Sequence, residues 1–216
     1  MLATLFLLAA TIATPAIAGI QQSDFSGIGN IYVLKSDNWQ TATPKATVGC
    51  LDNNGKFISE KSPSNKCGVF SRLDDFPYTL STSKGNCTFE DDKQDKNTDS
   101  YYGKTDSAWS CGERVADIYD QLYTINGFPY VFLCFGDVAC FYDAKHTPSS
   151  NEVLPFWQYR WGSQQMGITP GHVQLQLMWK KIDDLPGRSE ASEFLGPRVR
   201  VEEGSQIPLL GKKARV

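Results

Sequence analysis

The chain has 216 residues, 41% of them hydrophobic and 12% aromatic, and a formal net charge of -3. That length suits one domain, or one domain with a tail, and allows a real core. The charge balance, with no clustered Lys and Arg, argues against a nucleic-acid binder and against a polybasic membrane-surface protein.

The first eighteen residues, "MLATLFLLAATIATPAIA", carry no charged side chain and end in Ala16-Ile17-Ala18, a small-x-small cleavage pattern. They read as a secretory signal. The run is shorter than the ~20 apolar residues of a membrane span and is broken by Thr and Pro15. The mature chain is expected to begin near Gly19, to be secreted and extracellular, and to hold no membrane span.

The mature chain is rich in turn punctuation. "GNIYVLKS" predicts a short strand, and "TVGCLDNNGKFIS" a hairpin around Asn53-Asn54-Gly55. "DFPYTLST" and "NCTFE" predict strand fragments on either side of Ser83-Lys84-Gly85. Glu90 to Ser100, "EDDKQDKNTDS", lacks the Gly and terminal Glu of a calcium-binding loop and reads as a solvated connection. Val115, Ile118, Tyr119 and Leu122 fit a helical stripe, but Asn126-Gly127 between apolar runs is a hairpin signal. Strand-turn-strand is therefore expected from Gln121 to Phe135, with at most a helical turn before Tyr119. "PYVFLCF" should be the most buried strand.

"FWQYRWGSQQ" spaces Trp157, Tyr159 and Trp161 by two, the repeat of a strand. The expectation is that these rings face the core, with Gln158 and Arg160 outside; the alternative is an exposed platform for a sugar. "GSQQMGITPG" is a connection. "HVQLQLMWKKI" alternates cleanly, Val173, Leu175, Leu177 and Trp179 against Gln174, Gln176, Met178 and Lys180, which implies a sheet with one face on the core. From Asp183 to Val216 the chain holds three prolines, four glycines, six acidic and six basic side chains and no sustained period. It reads as a flexible polar tail. The predicted organisation is a signal at 1–18, a disulfide-bonded β domain at 19–182 and the tail at 183–216.

Six cysteines lie beyond the signal: Cys50, Cys67, Cys87, Cys111, Cys134 and Cys140. An even count in a secreted chain reads as three disulfides, with about fifteen possible pairings. Nearest-neighbour pairing is preferred. It is most defensible for Cys134 and Cys140, because Gly136-Asp137 between them is a natural turn. With no Cys-x-x-Cys and two histidines, neither a metal nor a cofactor is expected. Asn86-Cys87-Thr88 is a glycosylation sequon whose middle residue is itself a cysteine, so Asn86 is a candidate acceptor in competition with disulfide formation.

Motifs for catalysis are sparse. There is no G-x-S-x-G and no H-E-x-x-H. His146 and His172 are candidate halves of an acid-base pair, although a lone His is more often an exposed polar residue. Asp74-Asp75, Asp91-Asp92 and Asp183-Asp184 are carboxylate pairs best read as solvated turns. If a ligand site exists near the aromatic strand, Arg160, Gln164 and Gln165 are the residues to suspect.

The signal, the six spread cysteines, the aromatic "TINGFPYVFLCFGDVACFYD" and the lack of enzyme motifs together resemble the small secreted cysteine-rich proteins of filamentous fungi. That class includes plant-pathogen effector candidates and cell-wall-associated proteins. The resemblance implies a disulfide-bonded β-structure and carries over no functional residue. The expected fold is an all-β antiparallel sandwich or barrel from about Gly29 to Ile182. The expected function is a non-enzymatic secreted interaction protein with a protein or carbohydrate partner outside the cell. A carbohydrate-binding module using Trp157, Tyr159 and Trp161 is the alternative, and a secreted hydrolase the third.

Overall fold

The computed structural model describes residues 25–73, 78–125, 128–135 and 140–185. Residues 1–24, which include the predicted signal, Asp74-Asp75, the turns predicted at Asn126-Gly127 and Gly136-Asp137, and the chain after residue 185 lie outside the described residues.

The described chain is antiparallel β-structure, as the alternation and turn residues predict. In order, the strands are β1 (Gly27–Lys35), β2 (Thr47–Leu51), β3 (Phe57–Ile58), β4 (Phe70–Arg72), β5 (Leu80–Thr82), β6 (Gly85–Thr88) and β7 (Ser110–Gly112). Next come β8 (Leu122–Thr124), β9 (Val131–Phe135), β10 (Tyr142–Ala144), β11 (Val153–Leu154), β12 (Trp157–Gln158) and β13 (Val173–Asp183). All belong to one curled sheet with β1 and β13 paired at its centre. On the far edge of β1 lie β2 and β4; on the far edge of β13 lie β9 and β10. Short 3-10 turns at Pro44–Ala46 and Ile118–Asp120 are the helical content among the described residues.

Local chemistry accounts for the hairpins. Between β2 and β3, Asp52 Oδ1 accepts the N–H groups of Asn54 (2.9 Å) and Lys56 (2.8 Å), and Gly55 supplies φ = +78°. Only glycine takes that conformation at little cost, and a side chain here would also strike Trp109. Cys50–Cys67, Cys87–Cys111 and Cys134–Cys140 are the disulfides, the nearest-neighbour set. Cys87 and Cys111 face each other across β6 and β7, so the bond crosslinks a strand pair already in register.

The core face of the central pair is built by Ile31 and Val33 opposite Trp179 and Leu177. The other face is covered too, which the clean alternation of β13 did not predict. Leu34, Ala42, Phe132 and Met178 form a second apolar cluster, with Tyr32, Trp39, Phe128 and Tyr130 packed against it. Gln176 is consequently fully buried, and neither end of its amide finds a hydrogen-bond partner among the described residues. The near-continuous apolar run of β9 has the same cause: Leu133 enters the main core and Phe132 the second cluster. Its end residues Val131 and Phe135 are only half-buried, so β9 is less completely enclosed than β10.

The stripe at Val115, Ile118 and Tyr119 is not a packed helical face. All three are exposed, whereas Leu122 is buried in β8. Asp117 and Asp120 form a reciprocal capping box at the N-terminal end of a single 3-10 turn, and the strand begins two residues later.

Candidate functional site

The aromatic stretch divides. Strand β12 is only two residues long, because β10 offers register partners to Trp157 and Gln158 alone. Trp157 is buried, its Nε1 donates to the Asp95 carbonyl at 2.9 Å, and its ring stacks on His172 at 6.1 Å. Gln158 is buried as well, not on the outer surface as alternation implied. Tyr159 is half-buried with its edge toward Phe141, and burial followed by the charge of Asp143 raises its phenol. Trp161 is 60% exposed, which corrects the expectation of a core residue. Past Gln158 the chain has left the sheet, so strand geometry no longer dictates where a side chain points.

Trp161 belongs to a surface formed by two loops, residues 99–106 and 159–167. Gln165 locks them together. It is buried; its Oε1 accepts from Tyr101 N (2.6 Å) and Ser100 Oγ (3.1 Å), and its Nε2 donates to the Arg160 carbonyl (2.9 Å). The amide that sequence reading offered to a ligand is thus occupied within the protein. Gly162 lies so close on the Tyr102 ring that a Cβ would stand 2.6 Å from it. Tyr102 Oη accepts from Gln164 N at 3.0 Å and meets Ser163 Oγ at 3.3 Å. Those hydrogen bonds, Ser163 first, lower its phenol. Arg160 Nε donates to Asp106 at 2.7 Å. On this frame Tyr101 (60% exposed), Tyr102, Trp161 and Met166 (93% exposed) face solvent, with Arg160 and Gln164 beside them. Tyr101 and Tyr102 meet edge to face, 78° apart at 5.0 Å, so the patch is not a coplanar row.

Beneath it lies a polar cluster whose key member sequence reading missed. Asp143, on β10, is fully buried. It accepts from Asn97 Nδ2 (3.1 Å) and from Thr169 Oγ1, and meets His172 Nδ1 at 2.5 Å. The other ring nitrogen of His172 faces Asp99 Oδ2 at 3.4 Å, and Lys145 stands 3.7 Å from the same carboxylate. With 5% of its side chain exposed and a carboxylate on each nitrogen, His172 has no open atom for a substrate proton. The cluster joins β10 to Asn97 and Asp99 on one side and to Thr169 and His172, in the connection leading into β13, on the other, and Thr169 Oγ1 accepts from Gln165 Nε2 at 3.5 Å.

His146 is in an exposed clasp, its Nε2 at 2.8 Å from Glu152. The Ser149 backbone N–H, then His146, holds the Glu152 carboxyl below its usual value. The 90–100 loop is more ordered than a solvated connection, since Asn97 and Ser100 are buried. Asp92 is exposed and paired with Lys96 at 2.9 Å, whereas Asp91 is built into the fold. Lys56 Nζ donates to Gln94 at 2.6 Å, and burial lowers that ammonium against the pull of Asp95, Asp52 and Asp91. Asp184 pairs with Lys181 at the end of β13. The Nδ2 of Asn86, the atom a glycan would occupy, donates to the Arg114 carbonyl at 2.6 Å in the folded protein.

Asp91 carries a pH dependence. Burial opposes its ionisation, but hydrogen bonds from Gln94, Arg114 and the Lys93 N–H, with the Arg114 charge at 2.9 Å, outweigh this and bring it from 3.8 to about 2. A depressed folded value means the stabilisation is complete above the unfolded value and lost as pH falls from 3.8 toward about 2. Asp91→Asn should flatten the stability profile in that window, measured by urea unfolding at stepped pH. An unchanged slope there would show that Asp91 is not the titrating group.

Comparison of the chain with protein-family models, with curated proteins and with solved structures finds no match.

Proposed function

We propose that this chain is a secreted, non-enzymatic recognition protein that engages a partner protein through the Tyr101, Tyr102, Trp161 and Met166 patch. The observation that carries the reading is a set of exposed aromatic side chains on loops locked from below by Gln165 and Asp143. Tyr, Trp, Met and Arg are the residues enriched at the centres of protein interfaces, where a few large side chains dominate binding. Loops ordered before binding also lose less entropy when a partner docks.

A protein partner is favoured over a polysaccharide by ring geometry. A sugar chain lies along coplanar rings; here Trp157 is buried and Tyr101 is perpendicular to Tyr102. The enzyme reading is disfavoured because both nitrogens of His172 are engaged. The leader at residues 1–18 and the three disulfides support an extracellular setting. The resemblance to secreted cysteine-rich fungal proteins extends this to a host surface or a cell wall as the place of action.

The test is crosslinking of the oxidised protein to extracellular proteins, compared with Tyr101→Ala/Trp161→Ala. The double variant should fold as the parent does and lose the specific crosslinks, while Val115→Ser/Tyr119→Ser, on a separate exposed stretch, keeps them. Crosslinks that survive the first variant would sink the assignment.

A further inference from the structure

The outer face of the central strand pair holds a cleft of about 420 Å³. Its lining includes Tyr32, Pro44, Tyr130 and Met178 and the charged residues Glu60 and Lys180. The volume falls within the roughly 300–1,000 Å³ of small-molecule sites. This cleft is remote from the aromatic patch. His172 and Lys180 are at opposite ends of the stretch that links them, roughly 25 Å apart at strand rise.

The walls are fixed before any ligand arrives. Tyr32 sits on β1 between β2 and β13, opposite Cys50 and Met178 respectively. Tyr130 packs edge-on against Phe132 of the second apolar cluster. Pro44 begins a 3-10 turn that Thr47 Oγ1 closes by donating to the Pro44 carbonyl at 2.7 Å. Lys180 Nζ stands 5.5 Å over the Tyr32 ring. Among the described residues neither Glu60 nor Lys180 takes part in an ion pair.

We infer that this cleft is a binding site for a neutral saccharide. One carboxylate and one ammonium give it no net preference for an anion or a cation. The half-buried rings of Tyr32 and Tyr130 offer apolar surface to the C–H face of a pyranose, with Met178 buried in the second cluster opposite Tyr32. Glu60 can accept from ring hydroxyls and Lys180 can donate to them, and hydrogen bonds to charged groups are the strong ones. The inference is independent of the protein-recognition patch, because it uses none of the patch residues.

The test is a titration of the oxidised, isotope-labelled protein with cellotetraose, chitotetraose, xylotetraose and laminaritetraose, followed by amide NMR. At least one should saturably shift Tyr32, Tyr130 and Lys180 below about 10 mM, a range within reach of weak single-site binding. Glu60→Gln and Lys180→Ala change exposed side chains and should leave the fold intact, yet each should weaken binding by about fivefold or more. Trp161→Ala should leave the titration unchanged, and Glu60→Gln should leave protein crosslinking unchanged. No shift with any of the four sugars, shifts confined to residues 99–106 and 159–167, or affinity indifferent to both cleft variants would each overturn the assignment.

Discussion

Trp157→Ala should lower the unfolding free energy by about 3–5 kcal/mol, whereas Trp161→Ala should change it by no more than about 0.5 kcal/mol. The two tryptophans are four residues apart in one stretch, and on strand alternation they would behave alike. Trp157 is 1% exposed, stacks on His172 and donates to the Asp95 carbonyl, so truncation removes buried area and a hydrogen bond and leaves a cavity, while the carbonyl keeps its bond from Ala108 N. Trp161 is 60% exposed and loses little by truncation. Urea unfolding of the two oxidised variants side by side measures the difference. Comparable losses would mean that Trp161 is a core residue after all and that the patch is misassigned.

Asp143→Ala should cost about 3–5 kcal/mol, as removal of one member of a buried charged network does. Three groups would lose their acceptor at once: Asn97 Nδ2, Thr169 Oγ1 and His172 Nδ1. Asp143→Asn keeps one acceptor oxygen and should cost less. Because these partners come from the 90–100 loop and from the connection between Gln165 and β13, the loss should be accompanied by faster amide exchange at Tyr101, Tyr102 and Gln165. A loss under about 1 kcal/mol, with loop protection unchanged, would show that the cluster is not the anchor of the recognition loops.

Several features were legible in the chain because they are local. The Asn53-Asn54-Gly55 turn follows from the positive φ that glycine supplies and the Asp52 side chain that caps it. Strand β13 follows from a period of two sustained through Val173, Leu175, Leu177 and Trp179. The disulfides join cysteines at sequence separations of 6, 17 and 24, within reach of hairpins that the turn residues already predict.

Other features depend on what lies opposite. Period-two spacing at Trp157, Tyr159 and Trp161 is only a potential strand; it becomes one where a neighbour supplies hydrogen bonds, and β10 supplies them to Trp157 and Gln158 alone. Gln174 and Gln176 look like a solvent face, yet packing on the outer side of the sheet buries Gln176. Asp143 sits in an ordinary-looking "FYDAKH", and its partners Asn97 and His172 are 46 and 29 residues away. The sequence by itself determined the all-β class, the turns and the reach of each cysteine, since backbone conformation and short loops are set by neighbouring residues. Tertiary structure alone decided which faces are covered, which polar side chains are buried and which aromatics remain exposed, because burial is a property of distant segments meeting.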